Sequence, residues 1–336
     1  MSVSGGVLVG GIDLGDPVLT QIARQGLQDV ERQFAIELDD YDERVLDAVS
    51  HLSRAGGKRF RSLFTLLAAQ FGPGADDPQV VLAAAMIEIA HLATLYHDDV
   101  MDGALVRRGV HSANAMWDNK IAVLAGDYLI GRVLRIAATL GEHAMDIIGV
   151  TFTELVAGQM QETMGAPAET DPESHYWITI RRKTSVLIAA AGQLGAQLAG
   201  ARKEHVDCLY RFGDLLGTMF QISDDIIDVS SDFSQSGKAI GTDLREGIIT
   251  LPMLYAMRDD SPAGQRLREL LHGPIDDPRL VDEALFLINE AQGVKLAAQK
   301  LVELGGQAQS DLLQLPENPA RQAFSNLIQH MATRVA

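Results

Sequence analysis

Residues 80–102 read "VVLAAAMIEIAHLATLYHDDVMD". It contains the most apolar segment of the chain and reads as a long helix. Glu88 and His91 interrupt it, leaving it short of the ~20 apolar residues that a membrane span needs. The expectation is a soluble protein with no transmembrane segment. Its far end is acidic. Residues four apart differ by about 40° around a helix axis, so Asp98 and Asp102 share a face, with Asp99 beside them. The carbonyls ending a helix carry roughly half a negative charge, so carboxylates grouped there repel unless a cation joins them.

The motif has an echo. "SDDIIDVSSD" (223–232) places Asp224, Asp225 and Asp228 in the same pattern at the end of another apolar run. One such cluster alone reads as a solvated helix terminus. Two copies on long helices point to hard divalent cations, and Mg²⁺ takes one or two carboxylates, several waters and the oxygens of a substrate phosphate. Two clusters facing each other would clamp a diphosphate. An EF-hand is excluded, because neither cluster has the twelve-residue loop with its central glycine and terminal glutamate.

Cations suited to a diphosphate accompany the carboxylates. "GGKRFR" brings Lys58, Arg59 and Arg61 to the start of a helix, where free N–H groups also favour anions. "VRRG" sets Arg107 and Arg108 shortly after Asp102, and "RRKTS" carries Lys183 and Thr184. "SGKAIGTD" holds Lys238 in a glycine-flanked loop suited to closing as a lid. Singly, each basic residue reads as surface charge. His91 lies two helical turns before Asp98 on the same face, and Gln221 points toward Asp224.

Elsewhere the apolar period is helical and strand-like alternation is scarce, so the chain is expected to be all-α. Helices are expected at about 79–102, 120–140, 142–163, 174–199 and 203–230, with breaks at Gly56-Gly57, 71–78, 164–174, 231–247, 272–278 and 315–319. No break is long enough for a domain linker, so residues 1–336 are read as one domain with a flexible entry over about 1–17. The net charge of −17 argues against nucleic acid as a partner. Cys208, the only cysteine, excludes an internal disulfide and suits a reducing cytoplasm. The N-terminus lacks the pattern of a secretory signal.

The motifs "GGKRFR", "HLATLYHDDVMDGALVRRG", "KTSVLIAAAGQLGA", "FQISDDIIDV" and "GKAIGTDLREGIITLP" together resemble the trans-isoprenyl diphosphate synthases of the polyprenyl synthetase family, in their order and approximate spacing. The resemblance implies a single large helical bundle around a deep apolar cavity, usually a homodimer, with up to three Mg²⁺ ions bridged by diphosphate. It also implies the reaction: an allylic diphosphate ionises, isopentenyl diphosphate attacks the carbocation, and proton loss yields a chain five carbons longer. Carried over by motif, Asp98, Asp102 and Asp224 are direct Mg²⁺ ligands, with Asp99, Asp225 and Asp228 supporting or binding through water. Arg107, Lys183 and Lys238 would hold the allylic diphosphate. Lys58, Arg61, His91 and Arg108 would hold isopentenyl diphosphate, and Thr184 and Gln221 would line the reacting centre.

Two departures stand out. Ile248 occupies a position where the family commonly has lysine, and Ser62 replaces a proline. Product length should depend on the wall beneath Asp98, built by Thr94, Ala93, Ala90, Ile87 and Met86. Family enzymes with short products tend to carry aromatic rings four or five positions before the motif, whereas Ala93 and Thr94 leave the way open. The expected product is therefore medium to long, such as a precursor of the menaquinone side chain, with farnesyl or geranylgeranyl diphosphate as the alternative. A terpene cyclase is disfavoured because the second motif repeats the first. A non-catalytic subunit of a heteromeric synthase finds support only in Ile248.

Overall fold

Four helices in this chain begin where an aspartate meets a proline. Asp16-Pro17, Asp77-Pro78, Asp171-Pro172 and Asp277-Pro278 each open one, the carboxylate accepting from the backbone N–H of Leu19, Gln79, Ser174 and Arg279 respectively. The carboxylate satisfies an otherwise orphaned donor, and proline fixes φ where its missing N–H costs nothing. Part of the acidic excess is thus spent on helix starts.

The computed structural model describes residues 8–9, 11–39, 42–230 and 240–334. In chain order the helices are α1 (Pro17–Leu38), α2 (Glu43–Arg54), α3 (Phe60–Ala69), α4 (Pro78–Met101), α5 (Ala113–Met116), α6 (Asn119–Leu140), α7 (Glu142–Met164), α8 (Pro172–Ile180), α9 (Val186–Leu198), α10 (Lys203–Val229), α11 (Thr242–Glu246), α12 (Leu251–Met257), α13 (Pro262–Leu270), α14 (Pro278–Glu290), α15 (Gly293–Leu312) and α16 (Pro319–Thr333). A two-residue hairpin, β1 (Val106–Arg107) and β2 (Val110–His111), pairs Val106 with His111 and Arg107 with Val110. The all-α expectation holds.

Contacts divide the chain into two compact units. The first comprises Met1–Phe152, Leu187–Arg211 and Gln314–Asn326. Within it α4 packs on α6, α3 and α1, and Phe64 meets Phe324 at 5.1 Å between ring centroids. The second comprises Thr153–Val186, Phe212–Leu313 and Leu327–Ala336, and its core gathers Val229, Leu244, Met253, Leu267, Val281 and Ile288.

Three expectations need correction. α4 is, by length and composition, apolar enough to cross a bilayer, and 67% of its most apolar window is buried inside the chain. Composition alone does not separate a membrane helix from a helix wrapped by other helices. The helix expected over 174–199 is interrupted by a π-helical turn, Arg181–Ser185, between α8 and α9. The entry expected to be flexible over 1–17 includes packed residues: Leu14 is fully buried, and Asp13 O accepts from Asn326 Nδ2 at 2.9 Å. Residues 1–7 and 10 lie outside the described residues.

Candidate active site

In the first unit α4 ends in the acidic motif. Asp98 is half-buried, Asp102 is exposed as the C-cap, and Asp99 is buried. Arg107 on β1 donates from Nε and Nη2 to Asp99 Oδ1, both at 2.7 Å. Burial raises the Asp99 carboxyl above its ordinary range, against the pull of the Arg107 guanidinium. Asp99 Oδ2 is buried without a hydrogen-bond partner, an orphan that a polar ligand or ion-bound water would satisfy.

Beside it lies a cluster of cations. Arg59 caps α3 at a left-handed φ of 49°. Its buried guanidinium donates from Nε to Glu31 at 2.5 Å and lies 3.7 Å from Glu88. That turn carries exposed Lys58 and half-buried Arg61 on either side. Arg108, also left-handed at φ 53°, donates from Nη1 to Leu52 O at 3.0 Å and Gly56 O at 2.7 Å, tying the hairpin to the turn before Lys58. His91 has its pKa driven well below the ordinary value, by burial first and then by Arg61, Arg108, Arg107 and Arg59. Its ring is therefore neutral. Arginines this close to one another, around a histidine that resists protonation, suit a multiply charged anion.

In the second unit the π turn presents Lys183 and Thr184. Two glycines make room for it. A Cβ on Gly158 of α7 would come within 2.6 Å of Lys183 N, and one on Gly217 of α10 within 2.5 Å of Ser185 Cα. π-turns of this kind are frequent at functional sites. Lys183 Nζ pairs with Glu162 of α7. Thr184 Oγ1 donates to Gln221 Oε1 at 2.8 Å, Gln221 Nε2 to Asp225 Oδ1 at 2.8 Å, and Tyr176 OH to Asp225 Oδ2 at 2.6 Å. Burial pushes the Asp225 carboxyl up to about 7 and the Tyr176 phenol well above its usual value.

The three aspartates of the second motif thus differ. Asp225 is buried with both oxygens engaged, and Asp228 accepts from Thr242 N and Asp243 N, both at 3.1 Å. Asp224 remains 42% exposed, paired with Arg334 at 3.0 Å. Among the described residues no three His, Cys, Asp or Glu side chains converge as a metal cage. That does not conflict with Mg²⁺, whose protein ligands are few and whose remaining positions go to water and phosphate. Asp98, Asp102 and Asp224 offer hard oxygen donors at accessible helix ends, which fit that ion. Lys238 lies outside the described residues. Tyr176, Glu162 and Arg334 escaped sequence reasoning, since each acts through a partner distant in sequence; Arg59 was legible as a cation of "GGKRFR", but not its pairing with Glu31 and Glu88.

The polyprenyl synthetase family model matches residues 42–288. The chain belongs to the polyprenyl synthetase family. It is 49% identical to a nonaprenyl diphosphate synthase of Mycobacterium tuberculosis, over 97% of this chain and 98% of that protein. A dimethylallyltranstransferase of the same organism is 41% identical, over 96% and 98% of the two chains. A crystal structure of geranylgeranyl pyrophosphate synthase from Corynebacterium glutamicum, complexed with calcium and isoprenyl diphosphate, is 46% identical and superposes with a TM-score of 0.86, covering 96% of this chain and 98% of that one. As a polyprenyl synthetase the protein has the isoprenoid synthase fold and is a prenyltransferase.

Proposed function

We propose that the protein condenses isopentenyl diphosphate head-to-tail with an allylic diphosphate, giving an all-trans-polyprenyl diphosphate of roughly C30 to C50 set by the depth of an apolar cavity. The observation that carries the length is the 49% identity to a nonaprenyl diphosphate synthase along nearly the whole of both chains. The absence of an aromatic ring at Ala93 and Thr94 supports it. We read the two units as one polyprenyl synthetase domain, because the family match runs through segments of both.

Asp98, Asp102 and Asp224 would hold Mg²⁺, which when bound neutralises charge on the departing diphosphate. Asp99, Asp225 and Asp228 support them: Asp99 fixes Arg107, Asp225 fixes Gln221, and Asp228 caps the turn after residue 241. Arg107, Lys183 and Lys238 hold the allylic diphosphate. Lys183 is preorganised by Glu162. Lys58, Arg61, His91 and Arg108 hold isopentenyl diphosphate, and neutral His91 donates a hydrogen bond without adding to the arginines' mutual repulsion. Thr184 gives its hydrogen to Gln221, so its oxygen lone pairs remain to face developing positive charge. A positioned oxygen there stabilises the carbocation more than the neutral substrate, which is what accelerates a step.

We further propose a cytoplasmic enzyme that works as a homodimer. Ile121, Val123, Leu124 and Leu134 leave α6 with an exposed apolar face suited to a second copy.

The test is incubation with Mg²⁺, labelled isopentenyl diphosphate and geranyl, farnesyl or geranylgeranyl diphosphate, with products resolved by carbon number. A metal-dependent ladder ending between roughly C30 and C50 supports the reading. A ladder ending at C20 supports the shorter-product alternative, which the likeness to a geranylgeranyl pyrophosphate synthase favours. Linear product from the chain alone excludes a purely non-catalytic subunit, and Ala93→Tyr should shorten the product. An unchanged distribution in that variant would place the wall elsewhere.

A further inference from the structure

Arg334 follows the last residue of α16 and is held on three sides. Its backbone N–H donates to His330 O at 3.2 Å, and its Nη2 donates to Asp224 Oδ1 at 3.0 Å. Its guanidinium carbon lies 5.4 Å from the centroid of the Phe220 ring, with Nη1 3.9 Å from Met331 Sδ. Phe220 and Asp224 are four residues apart on α10, so one helix face offers the guanidinium an aromatic surface and a carboxylate together. The Arg334 side chain is 22% exposed, so the pair is partly withdrawn from water.

We infer that Arg334 makes cation binding at Asp224 depend on diphosphate: its charge opposes a bare divalent ion there and favours the ion accompanied by diphosphate. The inference rests on the proposed function, which makes Asp224 a Mg²⁺ ligand. Its sign does not depend on detail. If the ion takes Oδ1, the arginine loses its ion pair; if the ion takes the other oxygen, two cations repel across a few ångströms. Arginine stays charged at any working pH, so the opposition is permanent. A diphosphate reverses it, because a planar guanidinium matches phosphate oxygens and the added negative charge exceeds the repulsion. Until then Arg334 also offsets repulsion between Asp224 and its acidic neighbours. The residue is thus a positioning residue of the substrate-free site and a candidate diphosphate contact of the loaded one.

Calorimetric and thermal-shift titrations of the purified full chain with Mg²⁺, alone and with inorganic pyrophosphate, test this in the wild type, Arg334→Met, Arg334→Lys and Asp224→Asn. Arg334→Met should bind Mg²⁺ alone about two- to five-fold more tightly, the range of a partly exposed ion pair, and Mg²⁺ with pyrophosphate more weakly. Arg334→Lys should keep the wild-type pattern, and Asp224→Asn should lose the response at this cluster. A wild type that binds in both conditions alongside an Arg334→Met protein that matches it, or binds Mg²⁺ alone more weakly, overturns the inference while leaving the proposed function intact. A wild type with no Mg²⁺ response in either condition overturns both.

Discussion

A histidine set among Arg61, Arg108, Arg107 and Arg59 ties the proposed anion site to the stability of the fold. Its folded pKa is depressed, so the unfolded chain takes up the proton first, near pH 6.5. The stability that neutral His91 preserves is present above that pH and is lost as pH falls below it, by at most about 1.4 kcal/mol per pH unit. Asp225, pushed up to about 7, contributes in the opposite direction over the same range, so the wild-type curve alone does not isolate His91. Urea unfolding of wild type and His91→Gln at pH 7.5 and 5.5 does: the difference between them should shrink on acidification, and parallel curves would sink the assignment. At the proposed reacting centre, Thr184→Val keeps the side-chain shape and removes the hydroxyl. Loss of an oxygen that faces charge only in the transition state should lower kcat by about tenfold or more with little change in KM. A KM effect alone would make Thr184 a binding residue.

The π turn Arg181–Ser185 shows what an element adds that its letters do not. "RRKTS" holds nothing that forbids an ordinary helix, and the extra residue in its turn depends on close approach by α7 and α10 at Gly158 and Gly217. Those glycines are distant in sequence from the turn they admit, so the helix was legible there and its interruption was not. The same holds for Tyr176 and Glu162, whose partners Asp225 and Lys183 lie on other helices. What depends on local chemistry was readable: the breaks between helices at glycine and proline, and the two acidic motifs. α4 marks the boundary, its type and ends legible and its membrane-like composition explained only by what surrounds it. Gly217→Ala would drive a methyl against the backbone of Ser185, an overpacking that costs about 1–3 kcal/mol. Steady-state kinetics should show kcat falling and KM rising for the allylic substrate, with KM for isopentenyl diphosphate steady. Equal shifts for both substrates would mean a general loss of fold rather than a displaced Lys183 and Thr184.

At the scale of the molecule, the exposed apolar face of α6 sets the proposed assembly apart from an isolated chain. Leu124, 61% exposed on that face, contributes little to the chain's own core, so a charge there should spare folding and oppose self-association. Light scattering of Leu124→Glu should give the mass of a monomer where the wild type gives a dimer. A dimeric variant would move the interface to another surface. Within a chain of net charge −17 that still holds 28 Lys and Arg, Arg59, Arg61, Arg107 and Arg108 are gathered around His91 rather than scattered over the surface.

Two of those arginines, Arg59 and Arg108, stand where the backbone turns left-handed, a conformation that glycine adopts without strain and most other residues resist. Replacing either by glycine relieves backbone strain while deleting a charge, the reverse of what an alanine scan does at such a position. Each side chain also makes contacts that glycine cannot replace: Arg108→Gly removes the bonds to Leu52 O and Gly56 O, and Arg59→Gly leaves buried Glu88 without its arginine. Glycine and alanine variants at either position lack the guanidinium alike, so an alanine variant that is the less stable of the two reports the strain of the left-handed turn itself.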